Sequence, residues 1–331
     1  MSPDDVTDVL VVDLLGGIGD LVMLLPSVHA LARHHPRAAV RVLTHAPGAV
    51  LLDTDPAVAE VRTAPKGGER AAVVAELERR LPDLVVSTTR YDGIPAEIER
   101  RVRRSVTDLW RKPPADELVS RRYFRILAEE GLVDGAYAPP RIHLADDERR
   151  TGERLLAELV SGRRAPVVLV PDAGMRVKRW PYEGRFIAEL TGRGVPVLVL
   201  GEHVPQLSLR GLAAFWAAVG ERAGVVVGPD TGPVRMAAAA GARTVALFGP
   251  TAAARYGLDP PSIDLQGLPD CPHRRPTAIT EQVCWWDAAC PLADGPACMA
   301  DLGVANVVDV VLAALAGSPS APGSGQVCGS A

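Results

Sequence analysis

Residues 225–251 read VVVGPDTGPVRMAAAAGARTVALFGPT. Val225–Val227 is an apolar run short enough to be a buried strand. It ends in Gly228-Pro229-Asp230-Thr231-Gly232, a turn that exposes backbone N–H groups. Ala-rich sequence from Val234 to Ala240 predicts a helix, and Gly241 stops it. Thr244–Phe248 reads as the next buried strand, with Gly249-Pro250-Thr251 as its turn. Strand, glycine turn, small-residue helix and strand form a βαβ unit, which sets the fold class as α/β. Its first turn places a helix N-terminus, with unpaired N–H groups and partial positive charge, where a phosphate can sit. An ordinary α/β turn that binds nothing has the same outline, so the flanking sequence has to separate the two.

The whole chain narrows the classes. Its 331 residues suggest two domains, each able to bury its own core. Hydrophobic residues make up 47% and charged residues 23%, which fits a soluble globular protein and excludes a disordered or fibrous one. A net charge of -4 gives no bulk electrostatic case for nucleic acid. No apolar run approaches the ~18 residues of a membrane helix. The N-terminus, MSPDDVTDV, is acidic and enters a strand directly, so neither a membrane span nor a signal peptide is expected. The expected location is the cytoplasm, and the five cysteines are expected to be reduced thiols or metal ligands.

Upstream, Val9–Leu14 is an apolar strand, followed by Leu15-Gly16-Gly17-Ile18-Gly19-Asp20 and an apolar helix from Leu21 to Arg33. Gly16, Gly17 and Gly19 let backbone approach a ligand closely. A dinucleotide site would want an acidic residue at the end of the second strand, to hold the ribose. The second strand, Ala39–Leu43, ends instead in Thr44-His45-Ala46-Pro47, which argues against a nicotinamide enzyme. The turn does carry Asp20, at the mouth of the sheet and the start of a helix, where a capping carboxylate is also common. Asp53-Thr54-Asp55-Pro56 matches the Asp-x-Asp of metal-dependent sugar transferases. Asp55 directly before Pro56 reads instead as an N-cap followed by proline at the first helical position, hence structural.

Leu84–Ser87 is a further buried strand. From Glu97 to Arg122 the chain is rich in arginine: Arg100, Arg101, Arg103, Arg104, Arg111, Arg121 and Arg122. The plainer reading is a solvated helix face; the sharper one is a basic wall for an anionic acceptor, or peripheral contact with a membrane surface. Pro139-Pro140 breaks the chain and sets the expected boundary, 1–140 against 141–316, with a Gly/Ser/Pro-rich tail at 317–331 expected to be disordered.

The second half opens with an amphipathic helix at Asp146–Leu159 and a strand at Pro166–Val170. The loop from Pro171 to Pro181 follows, with Lys178 just before a helix that Pro181 suits. A lysine there can neutralise a diphosphate as a point charge. Val195–Leu200 ends in Gly201-Glu202-His203, so Glu202 sits at a strand end where a carboxylate can accept hydrogen bonds from ribose hydroxyls. Cys271, Cys284, Cys290 and Cys298 cluster beyond the βαβ unit, with Trp285-Trp286 between them. Their spacings lack the short Cys-x2–4-Cys knuckle of a strong zinc site, so buried thiols are expected ahead of a structural metal. Val304–Ala316 is a last amphipathic helix, and Cys328 falls in the tail.

Taken together, GGIGDLVMLLPSVHAL, KRWP and GPDTGPVRMAAAAGARTVALFGPT resemble the heptosyltransferase-type glycosyltransferases, glycosyltransferase family 9. Order and separation match from about Val9 to Val311, and the Cys-Pro-Leu…Cys-Met run at Cys290–Met299 recurs in some members. The resemblance implies a GT-B architecture, two Rossmann-like domains facing across a cleft, with the acceptor in the first and the nucleotide-sugar in the second. It implies inversion at the anomeric carbon without a metal or cofactor, and an ADP-linked sugar as donor. By position in the motifs, Asp20 would be the general base on the acceptor-side loop of Gly16, Gly17 and Gly19. Lys178 would hold the donor diphosphate beside Ala173 and Gly174, Glu202 would face the ribose, and Asp230, Thr231 and Gly232 would form the donor turn. Arg235 stands where the family's D-[ST]-G-x-x-H pattern carries histidine; it keeps a donor, adds a permanent charge and loses any proton-handling role. The Ala173-Gly174 loop also lacks the hydroxyl side chains that some members place there.

The leading expectation is therefore an inverting transferase moving a sugar, a heptose above all, from an ADP-sugar to a saccharide or a small polyhydroxylated acceptor. The alternative is a nucleotide-sugar-binding protein of the same fold with weak turnover, motivated by Arg235. A nicotinamide oxidoreductase is the third class, disfavoured by the missing acidic residue.

Overall fold

The computed structural model describes residues 5–162, 164–171 and 174–317. Ala173 and the tail beyond residue 317 therefore lie outside the described residues. The first half lays down β1 (Asp8–Asp13), α1 (Ile18–His34), β2 (Ala39–His45), α2 (Ala46–Ala49), β3 (Glu60–Ala64), α3 (Glu69–Arg79), β4 (Leu84–Ser87), α4 (Ile94–Arg101), β5 (Ser105–Val106) and α5 (Val119–Glu129). The second half has α6 (Asp146–Leu159), β6 (Val167–Leu169), α7 (Glu183–Gly192), β7 (Val197–Val199), α8 (Leu209–Glu221), β8 (Val225–Pro229), α9 (Gly232–Ala239), β9 (Arg243–Phe248), α10 (Ala253–Tyr256), β10 (Ile263–Gln266), α11 (Ala297–Ala300) and α12 (Val304–Leu315).

Each half forms one five-stranded parallel sheet, in the order β3-β2-β1-β4-β5 and β10-β9-β8-β6-β7. Every residue of β1 and of β8 is buried, as expected of central strands covered on both faces. Register is fixed by pairs such as Val11 with Val42 and Val227 with Val245. The last helix, α12, shows how the faces are covered: Val307, Val308, Val311 and Ala314 recur at helical spacing and are the positions it buries.

Each sheet has one place where strand order reverses. The chain steps outward from β1 through β2 to β3, then returns to place β4 on the other side of β1. In the second sheet it steps from β6 to β7, then crosses back to β8. Crevices at the carboxyl ends of such strand pairs are where open α/β sheets take ligands. Here they belong to β1 with β4 and to β6 with β8.

Two local expectations are corrected. No helix starts at Pro56; the Asp55 carboxylate accepts the Ala57 N–H at 2.9 Å and closes a tight turn. The helix after Lys178 begins at Glu183, with Pro181 in the turn before it.

Candidate active site

The β1 crevice is shaped by glycines. Gly16 has φ +96, in the left-handed region that suits glycine. Gly17 caps α1, and its N–H meets the Asp20 carboxylate, which folds back over the helix start. A Cβ on Gly17 would stand 2.5 Å from Asp20 Oδ2, so only glycine leaves room for that carboxylate. Asp20 therefore caps its helix and also lies in the cleft. A Cβ on Gly19 would meet Arg235 Cδ at 3.1 Å, and one on Gly232 would meet Ile18 Cβ at 3.4 Å. The first half's loop and the second half's turn are in van der Waals contact.

Across the cleft, Asp230 leads from β8 into α9 and collects three donors. Arg235 Nη2 donates to Oδ1 at 2.5 Å, while Thr251 Oγ1 and Lys178 Nζ donate to Oδ2 at 2.8 and 3.1 Å. Lys178 Nζ also donates to the Asp230 carbonyl at 2.8 Å, and Arg235 Nη2 donates to the Tyr256 carbonyl. Burial opposes ionisation of Asp230, but the charges of Arg235 and Lys178 overcome it and hold its pKa well below the usual carboxylate range. The Lys178 ammonium lies 5.6 Å from the centre of the Trp285 ring. The Thr231 hydroxyl is buried without a hydrogen-bond partner among the described residues.

Gly19, Asp20, Met23, Lys178, Asp230, Thr231, Gly232, Arg235, Thr251, Tyr256, Ile279 and Trp285 line one cavity of about 200 Å³. Burial raises the pKa of Asp20, and the facing charge of Arg235 only partly offsets this. Behind it, Asp13 at the end of β1 is pushed up to about 7 by burial and by the charge of Asp20, although Thr88 Oγ1 donates to it at 2.6 Å. A second cavity of about 260 Å³ shares Met23 and Arg235 and extends past Ser120 and Asp259, so Arg235 stands between two spaces.

Seven of the expected residues thus meet: Gly19, Asp20, Lys178, Asp230, Thr231, Gly232 and Arg235. Gly16 and Gly17 shape the loop without lining the cavity, and Gly174, with φ +61, lies in the preceding loop. Glu202 is at the end of β7 as expected, but its turn leaves it exposed and away from the cavity. Sequence reasoning missed Thr251, Tyr256 and Trp285, although Thr251 closed the stretch quoted first.

The arginine-rich stretch divides. Arg100 and Arg101 pair with Glu97 and Arg111 with Glu130, as on a solvated face, while Arg121 reaches across to the buried Asp259 of the second half. Arg122 instead is fully buried and donates through Nη2 to the Arg111 carbonyl; burial and then the charge of Arg255 lower its pKa.

Cys271, Cys284, Cys290 and Cys298 come together around a cavity of about 10 Å³, with burial pushing the Cys298 thiol up to about 11. Among the described residues, no three cysteine sulfurs lie within 4.8 Å of one another. No helix of the described residues is long and apolar enough to cross a membrane.

Two parallel-sheet domains with a cavity between their switch points define the GT-B fold. Residues 202–268, which include the Asp230 turn, match the profile of glycosyltransferase family 9 (heptosyltransferase), so the resemblance holds over this segment. By sequence, no curated protein matches. Among solved structures, a family 9 glycosyltransferase from Veillonella parvula DSM 2008 superposes with a TM-score of 0.73 at 14% identity, covering 96% of this chain and 99% of that one. The E. coli ADP-heptose lps heptosyltransferase II gives 0.68 at 17% identity, covering 94% and 99%. The iron-containing dodecameric glycosyltransferase TibC of enterotoxigenic E. coli gives 0.59 at 16% identity, covering 95% and 80%.

Proposed function

We propose that the protein is a cytoplasmic, inverting glycosyltransferase that moves a sugar, a heptose foremost, from an ADP-sugar to a hydroxyl of a saccharide or small polyhydroxylated acceptor. The observation that carries this reading is the Asp20 carboxylate facing Lys178 and Arg235, with their partner Asp230, and the N-terminus of α9 inside a single cavity. In a single displacement the acceptor hydroxyl passes its proton to Asp20 and its oxygen attacks the anomeric carbon. The bond to the diphosphate breaks from the opposite face, and the electron pair leaves with the diphosphate. That end needs fixed positive charge, which Lys178 and the N–H groups at Thr231 and Gly232 supply. The other end needs a carboxylate, and a raised pKa makes Asp20 a better proton acceptor near neutral pH.

These groups do the work a divalent ion does in other sugar transferases, so the chemistry is read as metal-independent and without a cofactor. Asp55, half of the Asp-x-Asp match, is engaged with His29 and does not line the cavity. The name of the ADP-heptose enzyme among the neighbours supports the choice of donor. A second reading, a nucleotide-sugar-binding protein with weak turnover, draws on Arg235, whose guanidinium is already committed to Asp230 and to the Tyr256 carbonyl.

A thermal-shift panel tests the donor. ADP or an ADP-sugar should raise the melting temperature and NAD should not, since a ligand at a hundred times its Kd stabilises by about 2.7 kcal/mol. A rise with NAD and none with any nucleoside diphosphate overturns the reading. Binding of the ADP-sugar without transfer to any acceptor supports the second one.

A further inference from the structure

Two imidazoles and a carboxylate meet where the linker between the domains passes the first of them. His29 lies on α1, nine residues beyond Asp20; Asp55 is in the tight turn before β3; His143 is on the linker before α6. Among the described residues, these are the only three His, Cys, Asp or Glu side chains whose ligand atoms all lie within 4.8 Å of one another. His29 Nε2 stands 2.8 Å from Asp55 Oδ2, and the rings of His29 and His143 meet edge-on with centroids 5.4 Å apart. The Asp55 side chain is 1% exposed, with Oδ1 taken by the Ala57 N–H and Oδ2 turned to the imidazole.

We propose that His29, Asp55 and His143 form a binding site for a borderline divalent transition ion, Zn²⁺ foremost. Two imidazole nitrogens and one carboxylate oxygen suit Zn²⁺, whereas Mg²⁺ and Ca²⁺ prefer all-oxygen sets. Metal–ligand bonds of about 2.0–2.2 Å put neighbouring ligand atoms of a tetrahedral ion roughly 3.3–3.5 Å apart. His29 and Asp55 would open slightly from their hydrogen bond, and the half-buried His143 would close in from the linker. A water supplies the fourth ligand, as three protein ligands leave one position open.

The surroundings are built to hold these ligands. Thr54 Oγ1 and Arg210 Nη1 donate to the His143 carbonyl at 2.9 and 3.0 Å, fixing the backbone that carries the imidazole. Arg210 also reaches the Leu51 carbonyl at 3.3 Å and, through Nε, Glu148 at 2.7 Å. The ion would tie α1, the Asp55 turn and the linker together at a corner away from the cavity, as a staple with no step in sugar transfer.

The test titrates the full chain, stripped by chelator, with Co²⁺ and then Zn²⁺. The cysteine cavity is separated from this site by the difference spectrum between the parent and His143→Ala. That difference should show ligand-field bands in the visible and no sulfur-to-cobalt charge transfer. Zn²⁺ should raise the melting temperature of the parent. His143→Ala and Asp55→Asn should weaken binding by at least the roughly 10–100-fold that follows loss of a ligand's supporting partner. An unchanged metal-free melting temperature in His143→Ala shows that its fold is intact. A parent that binds neither ion, or equal Co²⁺ spectra and equal Zn²⁺ shifts in the parent and His143→Ala, overturns the proposal and leaves a hydrogen-bonded His29–Asp55 pair.

Discussion

Asp20 carries two duties that a single substitution separates. Its carboxylate accepts the Gly17 N–H at the start of α1, and it faces the Asp230 turn across the cleft. Asp20→Asn keeps the size of the side chain and its capping ability, so folding and ADP affinity should hold. Turnover should fall roughly 10²–10⁴-fold, the usual worth of a positioned general base. Parental turnover in that variant removes the catalytic assignment. In the parent, the acidic limb of the rate profile should lie above the ordinary carboxylate range, with the rate rising with pH as Asp20 loses its proton. Asp13, behind it, gives a stability prediction. Its folded pKa of about 7 lies above the unfolded value, so between about pH 4 and 7 the folded state binds more protons. The parent should therefore lose stability as pH rises through that window, by up to about 4 kcal/mol from this group. Asp13→Asn still accepts the Thr88 hydroxyl and should flatten the slope. Denaturant unfolding at pH 4 and pH 8 measures it, and parallel slopes for parent and variant refute it.

At the scale of elements, helix packing turns on glycine. In α6, a Cβ on Gly152 would lie 2.2 Å from the Ala214 carbonyl oxygen and 3.0 Å from the Phe215 nitrogen, both backbone of α8. Gly152→Ala must push the two helices apart and should cost about 1–3 kcal/mol. In α7, by contrast, nothing lies within 4 Å of a Cβ on Gly184, and Gly184→Ala should stabilise by up to about 1 kcal/mol. Opposite shifts in unfolding midpoint check the pair; equal shifts would show that propensity alone governs both. The elements readable in the sequence were those whose periodicity or apolar run carried the signal, such as β4 at Leu84–Ser87 and α6 at Asp146–Leu159, both found at their expected bounds. β3 gave no such signal, because its Arg62 and Thr63 are exposed and only Ala64 is buried. The site was half legible for a similar reason. Asp20 opens the helix after β1, Lys178 lies in the loop after β6 and Asp230 directly follows β8. Trp285 reaches Lys178 from a segment more than a hundred residues later, a placement only tertiary packing sets. Glu202 shows the converse, since a strand end fixes a residue's position but not the direction its turn takes.

For the whole molecule, the transfer chemistry and the linker-corner ion are proposed at different places. Transfer should persist in excess chelator, because Lys178, Arg235 and the α9 N-terminus supply the positive charge in the cavity. Chelation that removes an ion from the linker corner, or from the cysteine cavity, should appear as a lower melting temperature instead. Complete loss of turnover in chelator at a temperature where the fold persists, restored by magnesium or manganese, would show the chemistry to be metal-dependent.

The Arg210 clamp gives the molecule a lever. One guanidinium of the second domain bonds both the Leu51 and the His143 carbonyls, so a hinge at that corner would turn the two halves about it. The arm of the lever is α1: the nine residues from Asp20 to His29 span about 14 Å at 1.5 Å per residue. A turn of ~10° at the corner displaces the far end of such an arm by roughly 2 Å. A shift of that size separates a hydrogen bond made from one missed. A swing of about 10° at that corner would therefore decide whether Asp20 and Lys178 face each other across a closed gap or an open one.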